Sequence, residues 1–303
     1  MTPNRPDCTY HIGVARDLSV LTENKLTIPK NSFKESEKNI EESVVINIQN
    51  PDACPRYAAR VIENVTIKES PQWLKDRLKS IGLRPINNVV DAANFVLMET
   101  GQPLHTFDYD RLSGREINVR LSKDGEEVLT LDGESRELDD NILLICDADK
   151  PVAIGGIMGL ANSEITNDSQ NILLESAYFD PATIRSGSKY LGLQTDASYR
   201  FERGIDPENV IYALNRLTSL IVELADGDVN KGIIDNYPKK IPCPRVEVRY
   251  SRINQLIGQD FDPEWIIKKF KLLGCDILTT TDESVKLKSP TWRPDLEREI
   301  DYI

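Results

Sequence analysis

Apolar runs in this chain are short, and glycine, proline, aspartate or asparagine residues separate them from one end to the other. No run approaches the roughly eighteen apolar residues that a membrane-spanning helix needs. Runs of four to eight residues between turn residues are typical of strands, and apolar residues spaced three and four positions apart are typical of helices. Both patterns occur, so the sequence predicts an α+β protein. Its 303 residues are enough for two cores.

The larger domain is predicted over residues 44–236. Its pattern is typical of a mixed α/β fold with an antiparallel-rich sheet. Ser70 and Pro71 predict the start of a helix over residues 72–81, and Asn87 or Asn88 the cap of a helix that ends at Gly101. A third, long amphipathic helix is predicted from the Asp-Pro pair at 206–207 to Gly227. Strands are predicted at residues 44–48, 57–65, 115–121, 128–131, 141–146, 151–157 and 173–177, with a hairpin turn at residues 131–133.

The flanking segments have different patterns. Residues 1–43 are predicted to be the tail of a preceding domain. Apolar residues at 12–21 have the spacing of a helix, and residues 30–43 are a charged linker. After a proline-rich linker, residues 245–303 predict two helices, a hairpin and the start of another helix. That order indicates a small winged-helix-like domain of the DNA-binding type. We expect this domain to be truncated at the C-terminus, because the last helical pattern has no ending residue before Ile303.

Charge and cysteine content narrow the function classes. The net charge of −12 disfavours a general basic surface for nucleic acid, so any RNA would be bound locally. The five cysteines are widely spaced and form no Cys-x-x-Cys pair, and the chain has only two histidines, His11 and His105, so they do not predict a zinc site. The first 16 residues do not have the pattern of a secretory signal. We therefore expect a cytoplasmic protein with no membrane role.

Three features are candidates for chemistry. His105 follows a helix stop, where a histidine is either a hydrogen-bonded structural residue or a catalytic one. The glycine-rich segment 153–159, which ends in Gly159, allows close approach of backbone to a bound group, but it lacks the ending of a phosphate-binding loop. Glu175 lies in an apolar strand and must have a partner there. That partner is either a bound ligand or a salt bridge to Arg185, Arg200 or Arg203.

The string from Thr195 to Gly204, TDASYRFERG, is the most distinctive in the chain, although its charges would also suit an ion-paired helix start. Together with residues 82–108, the Gly-Ile-Met-Gly run and the Leu174-Glu175 pair, it resembles the editing domain of bacterial phenylalanyl-tRNA synthetase beta subunits. The resemblance covers about residues 45–230. The C-terminal region resembles the next, winged-helix-like module of the same subunits.

The resemblance implies hydrolytic editing, the deacylation of tyrosine wrongly esterified to phenylalanine tRNA. His105 would orient the attacking water and is expected, with Thr195, among the catalytic residues. Substrate binding would involve Glu175 and the backbone at Gly159, which recognise the phenol. Further residues implied to line the pocket or the approach of the tRNA end are Ala197, Asn94 and Arg84. No nucleophile-elbow motif occurs, so we expect direct attack by water, with no cofactor required for editing.

The resemblance also implies that the chain is part of a larger enzyme, phenylalanine-tRNA ligase. Its partners would be an alpha subunit, in a two-alpha, two-beta assembly, and phenylalanine tRNA; the ATP and phenylalanine activation site would lie on the alpha subunit. Asp295 and Asp301 match two of four carboxylates of a Mg²⁺ site, which would therefore be incomplete here. Two alternatives are open: a non-catalytic RNA- or DNA-binding module and a structural scaffold for a partner subunit.

Overall fold

The structure, a computed structural model, describes residues 2–303. These residues form two compact units, residues 29–240 and residues 2–28 with 241–303. Residues 29–43 thus belong to the same unit as 44–236. The expected division, with a tail over 1–43, differs from this grouping of contacts.

The described residues contain nine α-helices and sixteen strands, numbered here in chain order. The helices are α1 (His11–Thr22), α2 (Gln72–Ser80), α3 (Asn88–Thr100), α4 (Pro181–Leu191), α5 (Asp196–Phe201), α6 (Asn209–Ala225), α7 (Tyr250–Ile257), α8 (Pro263–Leu272) and α9 (Glu299–Tyr302). The strands are β1 (Glu35–Asn39), β2 (Val45–Ile48), β3 (Arg56–Glu63), β4 (Leu104–Asp108), β5 (Glu116–Leu121), β6 (Glu126–Leu129), β7 (Ser135–Leu138), β8 (Leu143–Cys146), β9 (Pro151–Ile154), β10 (Met158–Gly159), β11 (Ile172–Tyr178), β12 (Asp228–Lys231), β13 (Ile234–Asn236), β14 (Arg245–Arg249), β15 (Asp276–Thr280) and β16 (Ser284–Lys288). The α+β prediction is confirmed.

Two sheets organise the unit 29–240. The first has the order β1-β12-β3-β11-β4, with β13 also paired to β3, and the second has the order β10-β9-β8-β5-β2. All pairs are antiparallel except β1 with β12 and β2 with β5. The predicted hairpin is formed by β6 and β7. The antiparallel-rich sheet is therefore as predicted.

Helices α3 and α6 pack together and against the first sheet. The face that α6 covers can be assigned from one bond, because the Ser176 hydroxyl donates to the Val210 carbonyl of α6 at 2.9 Å. Side chains alternate along a strand, so Glu175, the neighbour of Ser176, projects from the opposite face of the sheet. That face carries the candidate site.

The helix boundaries follow the sequence signals in part. Asn87 caps α3, its side chain accepting from the amides of Val89 and Val90, and Gly101 ends it with φ of 77°. The cap predicted for α2 is wrong: the Ser70 hydroxyl donates to Asp91 at 2.5 Å, and no side chain caps that helix. The long helix α6 begins at Asn209, after the Asp-Pro pair expected to start it.

The other unit has a three-stranded sheet of order β14-β16-β15. Its core packs Val248, Ile266, Phe270, Val285 and Leu287 between that sheet and the helices α7 and α8. The order strand, two helices, hairpin and short helix agrees with the predicted winged-helix-like pattern and adds β14. No helix among residues 2–303 combines the length and apolar character that a membrane crossing requires.

Candidate functional site

The candidate site begins with a row of three polar side chains across the first sheet. Glu175 of β11 lies directly opposite His105 of β4 in the antiparallel register, and opposite Ala59 of β3 on its other side. Tyr57 pairs with Ala177, two residues along the strand, so it is the diagonal neighbour of Glu175 on the same face. Phenol, carboxyl and imidazole thus lie side by side on adjacent strands.

Glu175 is bonded to a phenol of the protein itself. The Tyr57 hydroxyl donates to Glu175 Oε2 at 2.7 Å, and both residues are buried, with Tyr57 0% and Glu175 7% exposed. Burial raises the pKa of the Glu175 carboxyl to about 7, and the hydrogen bond from Tyr57 opposes that rise. Burial and the nearby carboxylate raise the pKa of Tyr57 well above its ordinary value. Tyr57 therefore stays protonated and donates.

The salt-bridge alternative for Glu175 is wrong. Arg200 pairs with Asp196 at 2.9 Å, and Arg203 pairs with Glu202. Arg185 donates to the backbone carbonyl of Glu202 at 2.6 Å. The buried carboxyl is thus satisfied by a neutral hydroxyl.

His105 is half-buried and lies against apolar surroundings. Its ring makes an edge contact with Phe107, the centroids 4.4 Å apart, and burial lowers the pKa of His105 to about 4. The imidazole is therefore neutral at pH 7, with one donor nitrogen and one acceptor nitrogen. A base with so low a pKa is weak, so this ring suits the orientation of a water better than full proton abstraction.

Gly159 is required by the position of His105. A Cβ on Gly159 would lie 2.7 Å from His105 Cε1, closer than real contacts allow, and 3.2 Å from Nε2, which is tight. The absent side chain lets the backbone of β10 lie against the imidazole, so the second sheet meets the first at this point. Gly159 also accepts from the Leu131 amide at 3.2 Å, which fixes the turn after β6 beside it.

A cavity of about 100 Å³ opens beside these groups. Its wall is formed by residues 103–105, residues 153–159, Glu175, Ala197 and Phe201. An apolar cavity of roughly 150 Å³ holds benzene. This cavity is smaller than that, so a phenol would fit only with part of its ring in the open mouth or after a small movement of side chains. Four of the expected site residues, His105, Gly159, Glu175 and Ala197, line the same cavity.

The remaining expected residues do not line it. Thr195 caps α5, accepting from the Ser198 amide at 3.1 Å, and its hydroxyl donates to the Ile157 carbonyl at 2.9 Å. It thereby ties α5 to the glycine-rich segment of the wall. Asn94 is half-buried in α3, and Arg84 is exposed between α2 and α3. The catalytic role of Thr195 and the substrate roles of Asn94 and Arg84 stay predictions.

A larger, polar groove of about 740 Å³ lies elsewhere in the unit, around residues 49–53 and 180–186. Asp180 there caps α4, and Asp52 forms an exposed ion pair with Lys239 at 2.5 Å. Because its acidic groups already have these structural partners, the smaller cavity is the better candidate for chemistry.

Asp295 and Asp301, which match half of the implied Mg²⁺ site, are both paired with arginines in this chain. Both oxygens of Asp295 accept from Arg293, at 2.8 and 3.0 Å, and Asp301 accepts from Arg298. Within residues 2–303, neither belongs to a group of three ligand atoms close enough to share an ion. Two carboxylates that are each paired with a guanidinium cannot supply the oxygen shell that Mg²⁺ requires.

Comparison with known proteins gives two family matches. Residues 53–226 match the B3/4 domain, and residues 246–303 match the tRNA synthetase B5 domain. The chain is 46% identical over its whole length to a protein named phenylalanine–tRNA ligase beta subunit from Syntrophus aciditrophicus (strain SB) and 43% identical to one from Salinibacter ruber (strain DSM 13855 / M31). It spans 38% and 36% of the length of these relatives.

A crystal structure of an N-terminal fragment of the phenylalanyl-tRNA synthetase beta subunit from Pyrococcus horikoshii matches with a TM-score of 0.44 and 16% identity, over 99% of this chain and 82% of that one. The resemblance predicted from the motifs is confirmed by the family and sequence matches.

Proposed function

Because this chain belongs to the B3/4 domain family, we propose that it hydrolyses the ester between tyrosine and phenylalanine tRNA. The observation that carries the proposal is the row formed by His105 and Glu175, opposite each other in one cavity. Glu175 already accepts a phenol hydroxyl, from Tyr57. A tyrosyl side chain presents the same group.

Selectivity follows from the chemistry of the buried carboxyl. A pocket built for phenylalanine rejects an analogue that only adds a hydroxyl by roughly a hundredfold, so errors require a second site. A site with a polar group for that hydroxyl rejects the analogue without it by about 10⁴, because the buried group is then left unpaired. Glu175 supplies such a group at 7% exposure, because Tyr57 bonds its Oε2 and leaves its Oε1 for the substrate hydroxyl.

The reaction needs a positioned water and no covalent intermediate. Water attacks the ester carbonyl carbon, the bond from that carbon to the ribose oxygen breaks, tyrosine leaves as the free acid, and the ribose oxygen regains a proton. The neutral imidazole of His105 orients the water. The backbone of Gly159, which the missing side chain leaves accessible, lies against that ring. Thr195 supports the wall through Ile157.

The wider assignment rests on the relatives. We propose that the chain is part of a phenylalanine-tRNA ligase beta subunit in the cytoplasm, with an alpha subunit as partner in a two-alpha, two-beta assembly. Phenylalanine activation with ATP would take place on the alpha subunit. The Mg²⁺ of the full-length enzyme has no role in the hydrolysis proposed here.

The test uses phenylalanine tRNA to which tyrosine has been esterified beforehand. The 303-residue chain is added, and the release of tyrosine is measured. We expect the chain to release tyrosine faster than buffer does, and His105→Ala to lower that rate about a hundredfold or more. Glu175→Ala should reduce the preference for the tyrosyl over the phenylalanyl ester. Glu223→Ala, an exposed carboxylate on α6, is the matched control and should change neither quantity.

Full activity of the His105→Ala chain would remove that residue from the mechanism. A chain with no deacylation activity that still bound the tRNA would favour a binding module instead.

A further inference from the structure

The hydroxyl of Tyr57 is the one group on the Glu175 carboxyl that the editing chemistry does not use. Tyr57 is wholly buried on β3, an inner strand of the first sheet against which α6 packs. Its backbone pairs with both β11 and β13, which fixes its Cα, and its fully buried ring is held in place by close packing. The donor therefore has a fixed position.

The Tyr57 bond leaves the two oxygens of Glu175 in different situations. Oε2 receives the Tyr57 hydroxyl at 2.7 Å, while the side chain as a whole lines the cavity. A carboxyl has about four acceptor positions, so one phenol does not exclude another. A rigid donor on one oxygen fixes the rotation of the carboxyl and with it the direction in which the second oxygen accepts.

We propose that Tyr57 is a positioning residue, which holds Glu175 so that its second oxygen accepts the phenol of an incoming tyrosyl ester. This inference rests on the proposed function. Tyr57 does not touch the reacting atoms. It acts through Glu175. The Tyr57 side chain is a phenol, the same chemical group as the tyrosyl side chain that the site is proposed to select.

The same bond affects the charge of the carboxyl. Tyr57 and Cys54 face Glu175 from β3 and the segment before it, and His105 faces it from β4. Of these, Tyr57 stabilises the ionised form, because it donates to it, and burial opposes ionisation. Loss of the hydroxyl should therefore raise the pKa of Glu175 further, and its carboxyl would then be protonated at neutral pH and free to rotate.

The experiment is Tyr57→Phe, which removes one oxygen and keeps the ring. We expect the ratio of kcat/KM for the tyrosyl and phenylalanyl esters to fall roughly tenfold or more, since hydrogen bonds to charged groups are strong. The pH at which the remaining preference for the tyrosyl ester develops should also become higher. Tyr109→Phe is the matched control: this buried tyrosine donates to the Ser43 carbonyl, away from the cavity, and its loss should leave the ratio and its pH profile unchanged.

Two further measurements separate the possible failures. In a Glu175→Gln background, Tyr57→Phe should have little additional effect on the ratio, because the partner it positions is already altered. In the unchanged chain, the ring-carbon NMR signal of Tyr57 should shift when L-tyrosinamide is added and not with L-phenylalaninamide, a result that needs no variant to fold.

A Tyr57→Phe chain with the original ratio and pH profile overturns the inference while the editing function stands. The inference is also wrong if Tyr57→Phe slows both esters equally, since that is the effect of a merely structural residue. An unchanged chain that does not prefer the tyrosyl ester refutes the proposed function itself.

Discussion

Glu175→Gln should change the pH dependence of stability in a way that few surface carboxylates would. Glutamine keeps the shape and an acceptor oxygen for Tyr57 but cannot ionise. In the folded chain the pKa of Glu175 is raised by burial to about 7, from an ordinary value of 4.5. The folded state therefore holds this proton more tightly than the unfolded state, and the original chain loses stability as pH rises from about 4.5 to 7.

The size of that loss follows from the shift. Each unit of pKa difference corresponds to about 1.4 kcal/mol, so a displacement from 4.5 to about 7 is worth roughly 3 kcal/mol. Glutamine avoids this penalty. We expect the free energy of unfolding of the Glu175→Gln variant, relative to the original chain, to increase by up to that amount between about pH 4.5 and pH 8, with no further change above.

Urea denaturation at about pH 5 and pH 8, followed by circular dichroism, measures the difference. Glu126→Gln is a control of opposite sign, because the bond from Arg120 lowers the pKa of Glu126. That carboxylate stabilises the fold above its unfolded pKa of 4.5, and its contribution is lost only below that value, so the control should destabilise the chain about equally at pH 5 and pH 8 and less at about pH 3. A stability difference for Glu175→Gln that is equal at both pH values would show that the carboxyl is not buried as described.

Two other variants test the surroundings of the site. Gly159→Ala places a methyl group 2.7 Å from His105 Cε1 and should cost about 1–3 kcal/mol in the free energy of unfolding, together with most of the deacylation rate. Gly187→Ala should be nearly neutral, because its Cβ would meet the movable end of Ile157 at 3.2 Å and Ile142 at an ordinary 3.9 Å; an equal loss in both variants would contradict the role of the Gly159 contact. Arg84→Ala should raise KM for the tRNA ester, and weaken its salt dependence, with little change in kcat, because Arg84 is exposed and outside the cavity. A fall in kcat alone would place Arg84 in the chemistry instead.

The sequence predicted most of this fold because its helices and inner strands carry strong local signals. Several strands were missed, among them β12, β13 and β14, and two others show different physical reasons. β1 has the sequence ESEKN, four of its five residues are exposed, and it joins the sheet through its backbone bonds to β12. β4 is short, mixes polar and apolar residues, and starts three residues after the glycine that ends α3, so His105 was expected beyond a helix and not within a strand.

The candidate site was predictable only as far as its motifs reach. His105, Glu175, Gly159 and Ala197 converge as the resemblance implied, but their convergence depends on the register of β4 with β11. Tyr57 could not be singled out, because one buried tyrosine among ten in the chain has no local signature. Its partnership with Glu175 becomes visible only when two strands that are 118 residues apart are paired.

The parallel pairing of β1 with β12 has a consequence for how the unit 29–240 can be handled. The strand by which the chain enters this unit and the strand near its exit are hydrogen-bonded neighbours, with Glu35 opposite Val229. Without β1, β12 would become the edge of the sheet and would present unpaired backbone groups on which another chain could assemble. A shortened unit that begins at residue 44 should therefore self-associate more readily than residues 29–240, which keep the protecting strand.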